Sequence, residues 1–102
     1  MDIELISKGE SLTIVVDGNV DAENGRRLAS TLQEAMDLKM GGSVTFDLTG
    51  VRSVTSTGIG KLLNFFKYLN GEKRAMCVKG ISEQLYRQFM EIHLDRIFPI
   101  ER

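Results

Sequence analysis

Residues 46–69, FDLTGVRSVTSTGIGKLLNFFKYL, constrain this chain more than any other stretch. A run of β-formers over 44–48 gives way to a turn crowded with hydroxyls at Thr55, Ser56 and Thr57, then to Gly58 and Gly60 inside an apolar helical pattern. Strand, turn and helix in that order imply a helix that packs back across a sheet, the unit of an α/β fold. Hydroxyls at a helix start lie beside unbonded backbone N–H groups and the positive end of the dipole, where a phosphate is tolerated. The stretch therefore points to a surface switched by charge rather than to a catalytic pocket.

The remaining elements fall around this unit. Residues 3–6 and 12–16 are β-rich and separated by Ser-Lys-Gly-Glu, whose Gly9 suits a hairpin turn. Asp21 stands where a helix N-cap is wanted, with Glu23 in the first turn. Leu28, Leu32, Ala35, Met36 and Lys39 follow at helical spacing, an amphipathic face broken only by the lysine and closing near Gly41-Gly42. The spacing predicts a second helix over 57–69, closed by Asn70-Gly71 with Gly71 in a left-handed cap. A strand follows at 76–78, and Ser82 caps a third helix on which Leu85, Phe89 and Ile92 share a face. Residues 97–100 read as a short last strand, placed at an edge by Pro99. The expectation is a single α/β domain over 1–102 in the order β-β-α-β-α-β-α-β. Its sheet is mixed and mainly parallel, of about five strands with an antiparallel hairpin at the start, and three to four helices pack on it.

Composition narrows the function classes. The chain has 102 residues, 42% hydrophobic and 26% charged, as expected of one globular domain. Its formal net charge of −1 speaks against a general nucleic-acid binder, which carries a basic face. One cysteine excludes an internal disulfide and suits a reducing compartment. The acidic start MDIELISKGE is not a signal peptide, and no apolar run nears the ~20 residues that cross a bilayer. A soluble cytoplasmic protein without membrane contact is expected.

Three ligand motifs fail on inspection. Residues 55–61 end in Gly-Lys like a P-loop, but Thr55 replaces the first glycine and Leu62 the metal-binding hydroxyl. Gly58-Ile59-Gly60 lacks the third glycine of a dinucleotide fingerprint, since Leu63 stands there. Asp17, Asn19 and Asp21 imitate the opening of a calcium loop, yet Ala22 and Leu28 replace its required Gly and Glu. No nucleophile–base pair is visible. His93 suits the C-terminal end of the third helix, and Cys77 reads as a small hydrophobe in an apolar strand. Zinc lacks ligands. The chain is expected to be no enzyme and to use no cofactor or metal.

What remains is a recognisable pattern. Residues 47–63, DLTGVRSVTSTGIGKLL, closely resemble the signature of STAS domains, especially the single-domain anti-sigma factor antagonists of bacterial partner-switching systems. Those read D-L-S-G-V, a short spacer, D-S-S-G-L-G and then an apolar helix. Upstream, Asp17-Gly18-Asn19-Val20-Asp21 matches the family's G-x-L/V-D, and 81–100 looks like its last helix and strand. The likeness spans nearly the whole chain and implies a STAS fold. By position, the family's phosphorylated serine falls on Ser56, with Thr57 and Gly58 after it; Thr55 and Thr57 are alternative acceptors. Asp21 and Asp47 match acidic positions around that site. Two departures stand out. Thr55 replaces the usual Asp before the acceptor, which removes a charge and adds a hydroxyl. His93 takes a place often held by glycine, which concerns local turn geometry.

From the residues alone Ser56 is a helix N-cap, worth ~1 kcal/mol; the resemblance makes it a phosphoacceptor, and the roles are compatible. The resemblance implies an anti-sigma factor acting also as serine kinase, a serine phosphatase that resets the switch, no direct nucleic-acid contact, and a monomer or weak dimer. A second possibility is an unphosphorylated STAS subunit that regulates or scaffolds a transporter ATPase or another signalling complex. The expected partner face comprises Asn19, Ser56, Thr57, Gly58, Lys61, Phe65 and Tyr68. Ile59, Leu62, Leu63, Phe66 and Leu69 form the core arc of the helix, leaving Phe65 and Tyr68 outside its centre. They read as candidate recognition aromatics, with a wide buried face as the alternative for Phe65. Gly58 would let a partner's backbone approach closely.

Overall fold

The computed structural model describes residues 2–37 and 42–102. Strands β1 (Asp2–Lys8) and β2 (Ser11–Asp17) pair antiparallel around the turn at Gly9-Glu10. There follow α1 (Ala22–Asp37), β3 (Val44–Gly50), α2 (Ser56–Gly71), β4 (Met76–Ile81), α3 (Glu83–Glu91), a 3₁₀ turn at Leu94–Arg96 and β5 (Ile100–Glu101). Strands β2 to β5 are parallel, and the sheet order β1-β2-β3-β4-β5 repeats the chain order. The expected α/β architecture and element order are both present.

That order decides where the helices go. Right-handed crossovers between parallel neighbours, always advancing the same way, put α1, α2 and α3 on one face of the sheet. Side chains alternate accordingly. Leu12, Ile14, Val16, Val44, Phe46, Leu48, Met76 and Val78 are buried in the core. Thr13, Val15, Thr45, Asp47 and Cys77 point to the opposite face and are only half-buried. On α1 the predicted face holds: Leu28, Leu32 and Ala35 are buried and Met36 packs at the core margin. Lys39 and Gly41 lie outside the described residues, as does the side chain of Glu23.

Two boundaries differ from expectation. Helix α2 continues through Gly71, and the left-handed residue after it is Lys73 (φ 58°). The last strand is shorter and later than 97–100. Leu94 and Phe98, each 2% exposed, draw that segment into the core as a 3₁₀ turn, which leaves only Ile100–Glu101 to pair with β4. His93 opens the turn at φ 60° and ψ 34°, a left-handed conformation that glycine adopts without strain. Among the described residues no helix is long and apolar enough to cross a membrane, and no group of His, Cys, Asp and Glu could hold a metal ion.

Candidate functional site

Strands β2 and β3 end side by side, with Asp17 opposite Gly50, and the loops that follow travel together. The Gly18 N–H donates to the Gly50 carbonyl (3.0 Å), Val20 N–H to Ser53 (3.1 Å) and Thr55 N–H to Val20 (2.9 Å). These bonds make a parallel bridge between Val20 and Val54. The bridged loops lead directly into α1 and α2, so two helix N-termini stand together at the C-terminal end of the parallel strands. Asp21 caps the first: its Oδ1 accepts from the Asn24 N–H at 2.8 Å, as the sequence predicts. The Asn24 Nδ2 donates in turn to the carbonyl of Asn19 (3.1 Å), whose own side chain is exposed.

The second helix is capped by Thr55, which corrects the expectation for Ser56 by one residue. Thr55 is extended (φ −73°, ψ 166°), as a cap requires, and its Oγ1 accepts from the Gly58 N–H at 3.3 Å. Ser56 is therefore the first helical residue. Its backbone N–H has no intrahelical acceptor, its side chain is exposed, and its hydroxyl makes no hydrogen bond among the described residues. The first turn of α2 holds no acidic residue. Thr57 is exposed as well, but its γ-methyl leans toward α1, 4.0 Å from where a Cβ would stand at Gly25.

Gly58 is not open to a partner. It is buried, and a Cβ there would come within 2.7 Å of the γ-carbons of both Val20 and Val54. The glycine is what allows α2 to close onto the bridged loops. The unencumbered position is Gly60, where an added Cβ meets nothing within 4 Å.

Asp47 does not join this group either. Its neighbours Phe46 and Leu48 point under the helices, so its own side chain lies on the opposite face of the sheet. There its Oδ1 accepts from the Thr49 N–H (3.1 Å) and the Thr49 hydroxyl (2.7 Å). Gly80 (φ +70°) lies against the pair, and a side chain there would collide with Thr49 Oγ1. Asp47 thus shapes the ends of β3 and β4. Gly80 was not singled out by sequence; its one signal was a glycine interrupting a β-rich run.

The aromatic patch is corrected at Phe65. The fully buried stripe of α2 is Gly58, Leu62, Phe65 and Leu69, turned away from the expected arc, of which Ile59, Leu63 and Phe66 are only half-buried. Phe65 is 1% exposed and packs edge-on against Phe46, with ring centroids 5.8 Å apart. On the other flank Phe66 rests against Phe98 (5.8 Å). Tyr68 is half-buried at the core margin and stacks on Phe65 at 6.4 Å. Its hydroxyl donates to Glu72 Oε1 (3.0 Å) and approaches the Met36 carbonyl (3.4 Å), joining the end of α2 to the end of α1. The bond to Glu72, followed by burial, raises the Tyr68 pKa above its ordinary value. Lys61 is half-buried and, with Asn64 and Phe65, lines one wall of a shallow groove of about 150 Å³ against Ala29, Leu32 and Met36.

Two side chains of α3 and its cap brace the hydroxyl turn from behind. The Ser82 Oγ accepts from the Leu85 N–H (3.2 Å), the predicted cap, and also donates to the Val51 carbonyl (3.0 Å). Gln88 Nε2 donates to the Val54 carbonyl at 2.7 Å. Sequence reasoning missed Gln88, because a glutamine on the polar side of a helix carries no signal of its partner.

Comparison with known proteins agrees with this fold. The model of the STAS domain family matches residues 2–102. The anti-sigma-B factor antagonist of Listeria monocytogenes is 30% identical over 92 residues, which cover 90% of this chain and 80% of that protein. The crystal structure of an anti-sigma factor antagonist from Mycobacterium paratuberculosis superposes with a TM-score of 0.86 at 18% identity, covering 98% of this chain and 84% of that one. SpoIIAA is similar in both of its forms. The unphosphorylated anti-sigma factor antagonist gives a TM-score of 0.79 at 15% identity, covering 97% of this chain and 87% of that one. The phosphorylated Bacillus cell fate determinant gives 0.72 at 15% identity, covering 97% and 90%. At such identities the structural likeness speaks for the fold alone.

Proposed function

The chain belongs to the STAS domain family, and on that premise we propose that it is an anti-sigma factor antagonist of a partner-switching pathway in the cytoplasm. Bare, it binds an anti-sigma factor that is also its serine kinase; phosphorylated at Ser56, it is released, and a serine phosphatase resets it. The protein is then a substrate and not an enzyme. The name of the Listeria relative supports the role. The observation that carries the choice of acceptor is the Thr55 cap: with the Thr55 hydroxyl engaged by the Gly58 N–H, the exposed Ser56 hydroxyl has no competing partner among the described residues.

Electrostatics supply the switch. A phosphate adds roughly −1.5 to −2 charges at pH 7. In the free protein it stays hydrated beside a helix N-terminus that favours it by about 0.3–1 kcal/mol, so the fold survives. In a docked complex it loses that water close to Asp21. An uncompensated interfacial charge costs several kcal/mol, and ~3 kcal/mol weakens affinity about a hundredfold. Titration calorimetry against the anti-sigma factor tests this: the bare protein and Ser56→Ala bind alike, while the phosphorylated protein and Ser56→Glu bind about a hundredfold more weakly. Equal affinity of the bare and phosphorylated forms sinks the switch and favours the scaffold role. Mass spectrometry of residues 53–60 after incubation with kinase and ATP identifies the hydroxyl among Thr55, Ser56 and Thr57.

A further inference from the structure

Strand β1 ends the sheet, and its outer edge pairs with no strand among the described residues. Its seven residues match β2 in an unbroken register without a bulge. Folded proteins usually blunt such a long, regular edge with a bulge, a proline, a covering segment or charged side chains, and of these β1 carries only charges, acidic at its start and basic at its end. Asp2 stands directly opposite Asp17 in this register, and Glu4 follows on the same face opposite Val15. Like charges directly opposite across two strands are destabilising. The ion pair found among the described residues, Arg87 with Glu83, lies on α3 and serves none of the three carboxylates. The same face of β1 carries Ile6, 44% exposed, and the exposed Lys8.

Read against itself in reverse about Leu5, Asp-Ile-Glu-Leu-Ile-Ser-Lys is complementary in charge. We propose that β1 pairs antiparallel with β1 of a second copy, with Leu5 at the two-fold axis, Asp2 opposite Lys8 of the copy and Glu4 opposite its Ile6. Opposite residues in an antiparallel pair share a face, so the two sheets continue into one with all helices on the same side. Lys8 of the copy then stands next to Asp2 and supplies the cation that the Asp2–Asp17 pair lacks. Ile6 is covered by the stem of Glu4. Centring on Glu4 instead sets Glu4 against itself, and centring on Ile6 brings Asp2 against Glu10, so charge selects the Leu5 register. Two seven-residue strands bury less than the ~1,200 Å² of a standard interface, which makes the association weak and concentration-dependent.

Sedimentation velocity over a concentration series of the full chain tests the pairing, with melting temperatures recorded for each variant. The expected result is a monomer–dimer equilibrium in the parent protein that Lys8→Ala weakens and Lys8→Glu weakens by about tenfold or more. The exchange Asp2→Lys with Lys8→Asp restores it to within about threefold, since the pair is rebuilt with its signs reversed. A protein that stays monomeric at every concentration overturns the proposal. So does a dimer indifferent to Lys8→Glu, which uses another surface.

Discussion

At its first turn α2 presents Ser56 and Thr57 to solvent behind the Thr55 cap; two turns later the same helix buries Phe65 against Phe46 and ties Tyr68 to the end of α1. The two ends differ in what a substitution can reach. Side chains at the start touch little of the fold, so their chemistry is free to change with modification. Phe65 and Tyr68 near the end hold the helical layer together. A helix of 16 residues thus separates an exposed, modifiable start from a structural end along its length.

The sharpest test of that separation is Phe65→Ala. Removing a ring with 1% exposure costs about 3–5 kcal/mol in denaturant unfolding, whereas Ser56→Ala stays within about 0.5 kcal/mol of the parent. A Phe65→Ala protein of unchanged stability and reduced partner affinity would return the ring to the recognition surface and break the comparison.

The two glycines of the first turns sharpen it next. At Gly58 a methyl meets Val20 and Val54 at 2.7 Å, so Gly58→Ala costs about 1–2 kcal/mol after the gain in helix propensity is subtracted. At Gly60 the methyl meets nothing, and Gly60→Ala stabilises by about 0.5–1 kcal/mol. Thermal melts should move in opposite directions, by a few degrees each. The cap comes third. Thr55→Ala loses about 1 kcal/mol and Thr55→Ser recovers it; if Ser56→Ala produces that loss instead, the cap has been assigned to the wrong hydroxyl.

The smallest effect is alkaline. Tyr68 has a pKa raised above that of the unfolded chain, chiefly by its bond to Glu72. Its protonated form is therefore favoured by folding, a contribution present in full below the unfolded value and lost as pH rises through the folded one. Denaturant unfolding at about pH 8 and about pH 11 should show this added loss in the parent and not in Tyr68→Phe.

The architecture was legible because its signals are periodic and redundant: alternating strands, the α1 face of Leu28, Leu32 and Ala35, and caps at Asp21 and Ser82. The candidate site was legible as a segment, since hydroxyls and glycines crowd one turn. Its details depended on neighbours. Three adjacent hydroxyls give no hint which is extended, and only the bridge from Val20 fixes Thr55 as the cap. The expected apolar wheel was centred near Phe66, and tertiary packing turns the buried stripe of the helix toward Phe65. The acidic match at Asp47 hid a local bond to Thr49 on the far face of the sheet.

Strand order also bears on synthesis. Each parallel ladder joins a strand to the one made just before it, so a nascent chain translated from its N-terminus docks every unit onto a finished neighbour. The hydroxyl turn waits longer. Its carbonyls at Val51 and Val54 are gripped by Ser82 and Gln88, which leave the ribosome 31 and 34 residues later. A half-made protein can lay down most of its sheet while the surface that a kinase would meet is still unbraced.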